Sequence, residues 1–150
     1  DPEPFPSEGF VIKTRNDASV DLTKPEAYFY AKYAIAAGAD KLTLKARNFN
    51  GSSPTYFGLV AITEDMAVTP VIPTFTPGEG VENYLGEAVN GQLFKFINED
   101  GGQGNPEKYA TFEYGLSAFD GKNVVLALGV VKGEDSGNED KLCMYSITLN

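Results

Sequence analysis

Between Lys41 and Asn48 polar and apolar residues alternate with little interruption, Lys41-Leu42-Thr43-Leu44-Lys45-Ala46-Arg47-Asn48. Side chains of an extended chain point to opposite faces in turn, so this pattern puts Leu42, Leu44 and Ala46 on one face and Lys41, Thr43, Lys45 and Arg47 on the other. It describes a strand with one face buried. Asn50-Gly51 follows, a dipeptide that tolerates the positive φ angles of a tight hairpin, and a β-rich run resumes from Tyr56 to Thr63. No helical period competes. The one candidate stretch, Lys24 to Ala37, begins with Pro25 and carries Tyr28, Phe29, Tyr30 and Tyr33, a cluster that favours strand.

The same grammar recurs downstream. Asn90-Gly91 precedes Leu93 to Ile97, and Asp120-Gly121 precedes Val124 to Val131. The latter run is apolar on both faces, which predicts a central strand covered from either side. Further strands are expected at Phe10 to Thr14, Ala27 to Ile35, Tyr109 to Tyr114 and Leu142 to Leu149; strict parity in the last groups Cys143, Tyr145, Ile147 and Leu149 on one face, taken as the core side. The 16 glycines and 9 prolines supply turns, while a hydrophobic content of 42% leaves enough material for a core. Many short strands without a long helix predict an all-β fold, a two-sheet antiparallel β-sandwich of jelly-roll type. Residues 10–150 are expected to form one domain. Residues 1–9 alternate prolines with acids and read as a linker or tether.

Composition also removes whole classes of chemistry. The chain has no histidine, which excludes Ser-His-Asp and Cys-His catalysis and histidine-ligated zinc. Its single cysteine excludes an internal disulfide. A net charge of −9 argues against nucleic acid or an anionic membrane surface as partner. No run of about 18 apolar residues is present, so no membrane insertion by a helix is expected. The glycine-rich stretch Gly101-Gly102-Gln103-Gly104 leads toward a strand, not a helix N-terminus, and is expected only to connect.

The segment Phe112-Glu113-Tyr114-Gly115-Leu116-Ser117-Ala118-Phe119-Asp120-Gly121-Lys122-Asn123, the apolar strand after it and the closing run Lys141 to Leu149 resemble the last-strand passage of galactose-binding-like jelly rolls. Leu42 to Asn48 resembles the ligand-sheet strand of the same superfamily. The resemblance covers about two-thirds of the chain. It implies a carbohydrate-binding or adhesin-type accessory domain of a secreted or cell-surface bacterial protein, with a glycan or cell-surface polysaccharide as partner and no cofactor. Gly115 stands where the family usually has an acid, and Ser146 where it often has a calcium-holding aspartate, so no metal site of the family type is expected.

Sugar binding needs an aromatic face against the C–H side of a pyranose and polar groups for its hydroxyls. Tyr56, Tyr84 and Phe75, in or beside predicted loops, are the aromatic candidates, and Arg47, Asn48, Asn50 and Asn83 the polar ones. The acidic stretch Gly133 to Asp140 has calcium-like oxygen chemistry but no EF-hand spacing, and a solvated hairpin loop accounts for it better; Asp135 and Asp140 are the residues to test for calcium. Catalysis is not expected, since strand alternation turns Glu64 and Glu113 outward. The alternative is a structural or protein-binding domain of a surface protein, marked by a large apolar patch on one sheet.

Overall fold

The computed structural model describes residues 9–15, 17–48, 54–78, 84–98, 109–133 and 140–150, with Tyr84, Leu85 and Asn98 described as backbone only. Eleven strands lie among the described residues: β1 (Phe10–Lys13), β2 (Ala27–Ala34), β3 (Lys41–Asn48), β4 (Thr55–Thr63), β5 (Val68–Val71), β6 (Thr74–Thr76), β7 (Tyr84–Val89), β8 (Leu93–Asn98), β9 (Ala110–Gly115), β10 (Asn123–Val131) and β11 (Lys141–Leu149). They form two antiparallel sheets, one ordered β1-β11-β3-β9-β6 and the other β2-β10-β4-β8-β7, with β5 paired to β4. Partners nest: β1 with β11, β2 with β10, β3 with β9, β4 with β8. One long antiparallel ribbon, folded over so that successive strands fall into opposite sheets except at β4 to β5 and β7 to β8, produces this order, and it is the winding of a jelly roll. The proposed tether, residues 1–8 above all, lies outside the described residues.

Period-two burial fills the space between the sheets. Leu42, Leu44 and Ala46 of β3 face Phe57, Leu59 and Ala61 of β4 and Val124, Leu126, Leu128 and Val130 of β10 across a common core. Phe112 of β9 is its aromatic hub, with ring centroids 5.1 Å from Phe57, 5.2 Å from Phe94, 5.3 Å from Phe75 and 5.5 Å from Phe96. Three of these four contacts are edge-on, the geometry aromatic quadrupoles favour. β10 is internal to its sheet, and its outer face is also largely buried, as its two-sided apolar run predicts. Asn90 and Gly91 both have positive φ, 55° and 65°, and turn β7 into β8.

The structure corrects the sequence expectation in two places. β11 does not keep one parity: its register with β3 shifts between Met144 and Ser146. The extra residue reverses the phase, so Leu142 and Met144 face the core before the bulge and Ile147 and Leu149 after it. Cys143 therefore lies on the opposite face, directly across from Arg47, and is buried there. Burial pushes its thiol pKa up, against the pull of the Arg47 guanidinium. Second, Phe75 is no loop residue; it sits in β6 and packs into the phenylalanine hub.

Phe112→Ala should cost about 3–5 kcal/mol, the range for emptying a large aromatic site, visible as a matching fall in unfolding free energy in urea. A loss under 1 kcal/mol would show that the hub is not the centre of the core. Tyr114 offers the opposite case. Its side chain is buried and its phenol oxygen has no hydrogen-bond partner among the described residues; burial drives its pKa far above the ordinary phenol value. Tyr114→Phe removes that unsatisfied group, so stability should hold or rise by about 1 kcal/mol, and a clear drop would reveal a partner for the hydroxyl.

Candidate functional site

The residues proposed from sequence are scattered. Arg47 and Asn48 are 0% exposed. Asn48 works as a clip between sheets: its Nδ2 donates to the Phe96 carbonyl at 3.2 Å, and its Oδ1 accepts from the Thr55 hydroxyl at 2.8 Å. Neither side chain presents a polar atom at the surface. Tyr84 opens β7 opposite Asn98. Asn83, Asn50, Asp135 and the glycine-rich stretch lie outside the described residues. Asp140 is buried at the neck of the acidic stretch, where its Oδ2 accepts from the Gly133 amide at 2.9 Å and its own amide donates to the Thr14 hydroxyl at 2.9 Å. No group of three or more acidic or cysteine side chains gathers among the described residues.

Tyr56 alone of these points to the surface feature that stands out. It begins a row on the outer face of the β2-β10-β4 sheet that continues through Gly58, Val60 and Ile62, the residues whose parity opposes the buried Phe57, Leu59 and Ala61. In register beside that row stand Gly129, Ala127 and Val125 of β10, then Tyr28, Tyr30 and Lys32 of β2. Pro70 and Val68 of β5 border Val60 and Ile62 on the other side. Four strands make a strip about 14 Å wide from β2 to β5, given the usual inter-strand spacing. Small residues floor it. Two tyrosines about 7 Å apart flank it, Tyr28 at 56% and Tyr30 at 71% exposure.

The glycines are required by what covers one end of the strip. A Cβ on Gly129 would stand 2.6 Å from the Pro25 ring, and one on Gly58 would stand 2.7 Å from the Gln92 carbonyl oxygen. The segment 21–26 is thus laid across β10, with the Asp21 amide donating to the Lys132 carbonyl and the Glu26 amide to the Val130 carbonyl, both at 2.8 Å. Between this cover and Pro70 is a cleft of about 100 Å³, lined by Leu22, Pro25, Tyr28, Val60, Pro70 and Ala127 among others. Tyr56 lies past the cover, its ring against Gly133 and the Lys95 ammonium 5.9 Å from its centroid.

A larger polar recess, about 480 Å³, opens where β4 turns into β5 and β9 into β10. Its acidic groups are already engaged. The Asp65 carboxylate accepts from the Thr63 hydroxyl and the Ala67 amide, which lowers its pKa, and Glu64 accepts from Asn123 at 3.4 Å. Among the described residues, the interior gap bounded by Phe29, Leu44, Leu59 and Ile147 holds only about 10 Å³. The tyrosine-flanked strip therefore combines exposed aromatic surface, a shaped cleft and uncommitted side chains. Comparison with known proteins finds no matching family model and no matching curated protein.

The sequence does carry a signal for Tyr28 and Tyr30. Alternation in Ala27–Ala34 puts Tyr28, Tyr30 and Lys32 on one face and Phe29 and Tyr33 on the other, while Gly129 and Ala127 share one parity of an otherwise bulky strand. Seeking aromatics in loops passes over both.

Segment 21–26 is held partly by Asp21, whose carboxylate accepts from the Thr23 hydroxyl and amide, depressing its pKa. A depressed carboxylate pKa stabilises the fold above the unfolded value and loses that contribution as pH falls through the folded one. The Asp21 carboxyl resonance should therefore titrate below pH 3.8, and Thr23 amide protection should fall with it in acid. A midpoint at or above the ordinary aspartate value would remove this anchor from the cover.

Proposed function

We propose that this domain is a non-catalytic carbohydrate-binding module of a secreted or surface-attached protein, and that it binds glycans on the outer face of its β2-β10-β4 sheet. One observation carries the reading: Tyr28 and Tyr30 project from neighbouring same-face positions, with Ala127 as the small open floor beside Tyr30 and with Gly129 and Gly58 lying under Pro25 and Gln92. A pyranose has an apolar C–H face that stacks on an aromatic ring, and side chains no larger than alanine let it approach the sheet. The galactose-binding-like resemblance of the sequence points the same way. Non-catalytic action is supported by the state of Glu64 and Glu113, both at the surface and facing Asn123 and Lys41 respectively. Neither has the apolar surroundings that make a carboxyl an acid catalyst near neutral pH.

Affinity electrophoresis through gels containing plant and bacterial polysaccharides, run with and without calcium, tests the proposal. At least one polysaccharide should retard the domain, and Tyr30→Ala should weaken retardation about tenfold, equivalent to about 1.4 kcal/mol. Glu113→Gln, on the other sheet, should leave it unchanged. Retention by no polysaccharide, or equal retention of Tyr30→Ala, would rule the module out.

A second reading has its own support. Val68, Met66 and Ile72 are 60%, 76% and 38% exposed and extend the apolar surface along and beyond β5, which suits a protein partner of a surface adhesin. The cleft beside Tyr28 and the small-residue floor favour the glycan, because a flat protein contact needs neither.

A further inference from the structure

The strip is open along β2 and closed at one end, and that asymmetry carries information about its ligand. Resting on the carbohydrate reading above, we infer that the cleft beside Tyr28 is a terminal subsite, which seats a small methyl-bearing substituent of the sugar at the end of a glycan chain. The shared chemistry is a methyl group one or two bonds from the ring, as in an N-acetyl amino sugar or a 6-deoxy sugar.

Three observations lead there. The cleft measures about 100 Å³, roughly three water volumes. That is too little for a pyranose ring and ample for a group of a few heavy atoms. Its base is apolar, from Leu22, Pro25, Val60, Pro70 and Ala127, while Thr23, Lys24 and Gln92 are also in the lining and are exposed. An acetamido group matches that division, with its methyl inward and its amide toward the polar side chains. Finally, the cover fixes direction. Pro25 over Gly129 and Gln92 over Gly58 leave no gap through which a chain could continue along the floor, since there is not even space for a Cβ at either glycine. A polysaccharide passing through the middle of the strip would collide with this wall; a chain end would abut it. The Pro25 side of the wall is also fixed in place, segment 21–26 being hydrogen-bonded to β10 at Glu26 and to Lys132, just past its end, at Asp21.

The test is an NMR titration of the whole domain with methyl glycosides of glucose and galactose, of their 2-acetamido-2-deoxy forms and of their 6-deoxy forms. Wild type is set beside Leu22→Phe and Val60→Phe, two independent ways of filling the cleft, each checked for an unchanged fold by its amide spectrum. A methyl-bearing sugar should bind about fourfold tighter than its parent, the effect of one buried methyl group, and its methyl protons should receive the strongest saturation transfer from the protein. Either filled variant should abolish that preference while leaving the parent sugar's affinity within about twofold. Preference for the acetamido arm identifies an N-acyl sugar, and preference for the 6-deoxy arm a deoxy sugar. Parent sugars binding as tightly as both derivatives, or filled variants losing all arms equally, would overturn the terminal subsite while leaving the tyrosine platform intact. Absence of binding in every arm, with no shift of Tyr28 or Tyr30 resonances, would overturn the platform and the subsite together.

Discussion

The molecule depends on one constraint: each sheet has one face made almost wholly of apolar side chains, and the two such faces must meet. Period-two alternation in β3, β4, β9 and β10 places Leu44, Leu59, Phe112 and Leu128 on those faces, and burying aliphatic and aromatic surface drives them together. Nested pairing then follows from chain connectivity. Because most connections cross to the opposite sheet, the ribbon closes around the core, and Asn48 of one sheet meets the Phe96 carbonyl of the other. That bond spends an amide that would otherwise be orphaned in a low-dielectric interior.

What remains outside the core is unequal on the two sheets. Around Arg47 the outer face of the β1-β11-β3 sheet is filled by Cys143, and Tyr145 is near enough for the guanidinium to act on its phenol. The outer face of the other sheet keeps two tyrosines in water beside glycine and alanine. Exposed aromatic area has a solvation cost that the fold does not recover, whereas the glycines are accounted for by Pro25 and Gln92, which leave no room for a Cβ at either. The glycan proposed above would cover that aromatic area, and the cover over Gly129 gives the surface a direction.

Most strands were legible in the sequence, and those that were not share a position. The internal strands β3, β4 and β10 carry strong patterns because they are paired on both sides. β5, β6 and β7 went unread, and all are at sheet margins, where only one side needs partners and where Pro70 is tolerated within a strand. Of the site candidates, Tyr56 stands on the same sheet face as Tyr28 and Tyr30. Arg47 and Asn48 were chosen for chemistry alone, and burial, which depends on which strands stack above them, cannot be read from residue type.

The sequence by itself determined the class: alternation, turn dipeptides and the absence of any helical period leave only stacked antiparallel sheets, and the lack of histidine closes off most hydrolytic and zinc chemistry. Tertiary structure alone decided where the β11 bulge reverses the strand's faces and that Pro25 and Gln92 wall one end of the strip. These outcomes join residues about a hundred positions apart, such as Pro25 and Gly129, and such contacts exist only once the chain has closed on itself, so no local pattern encodes them.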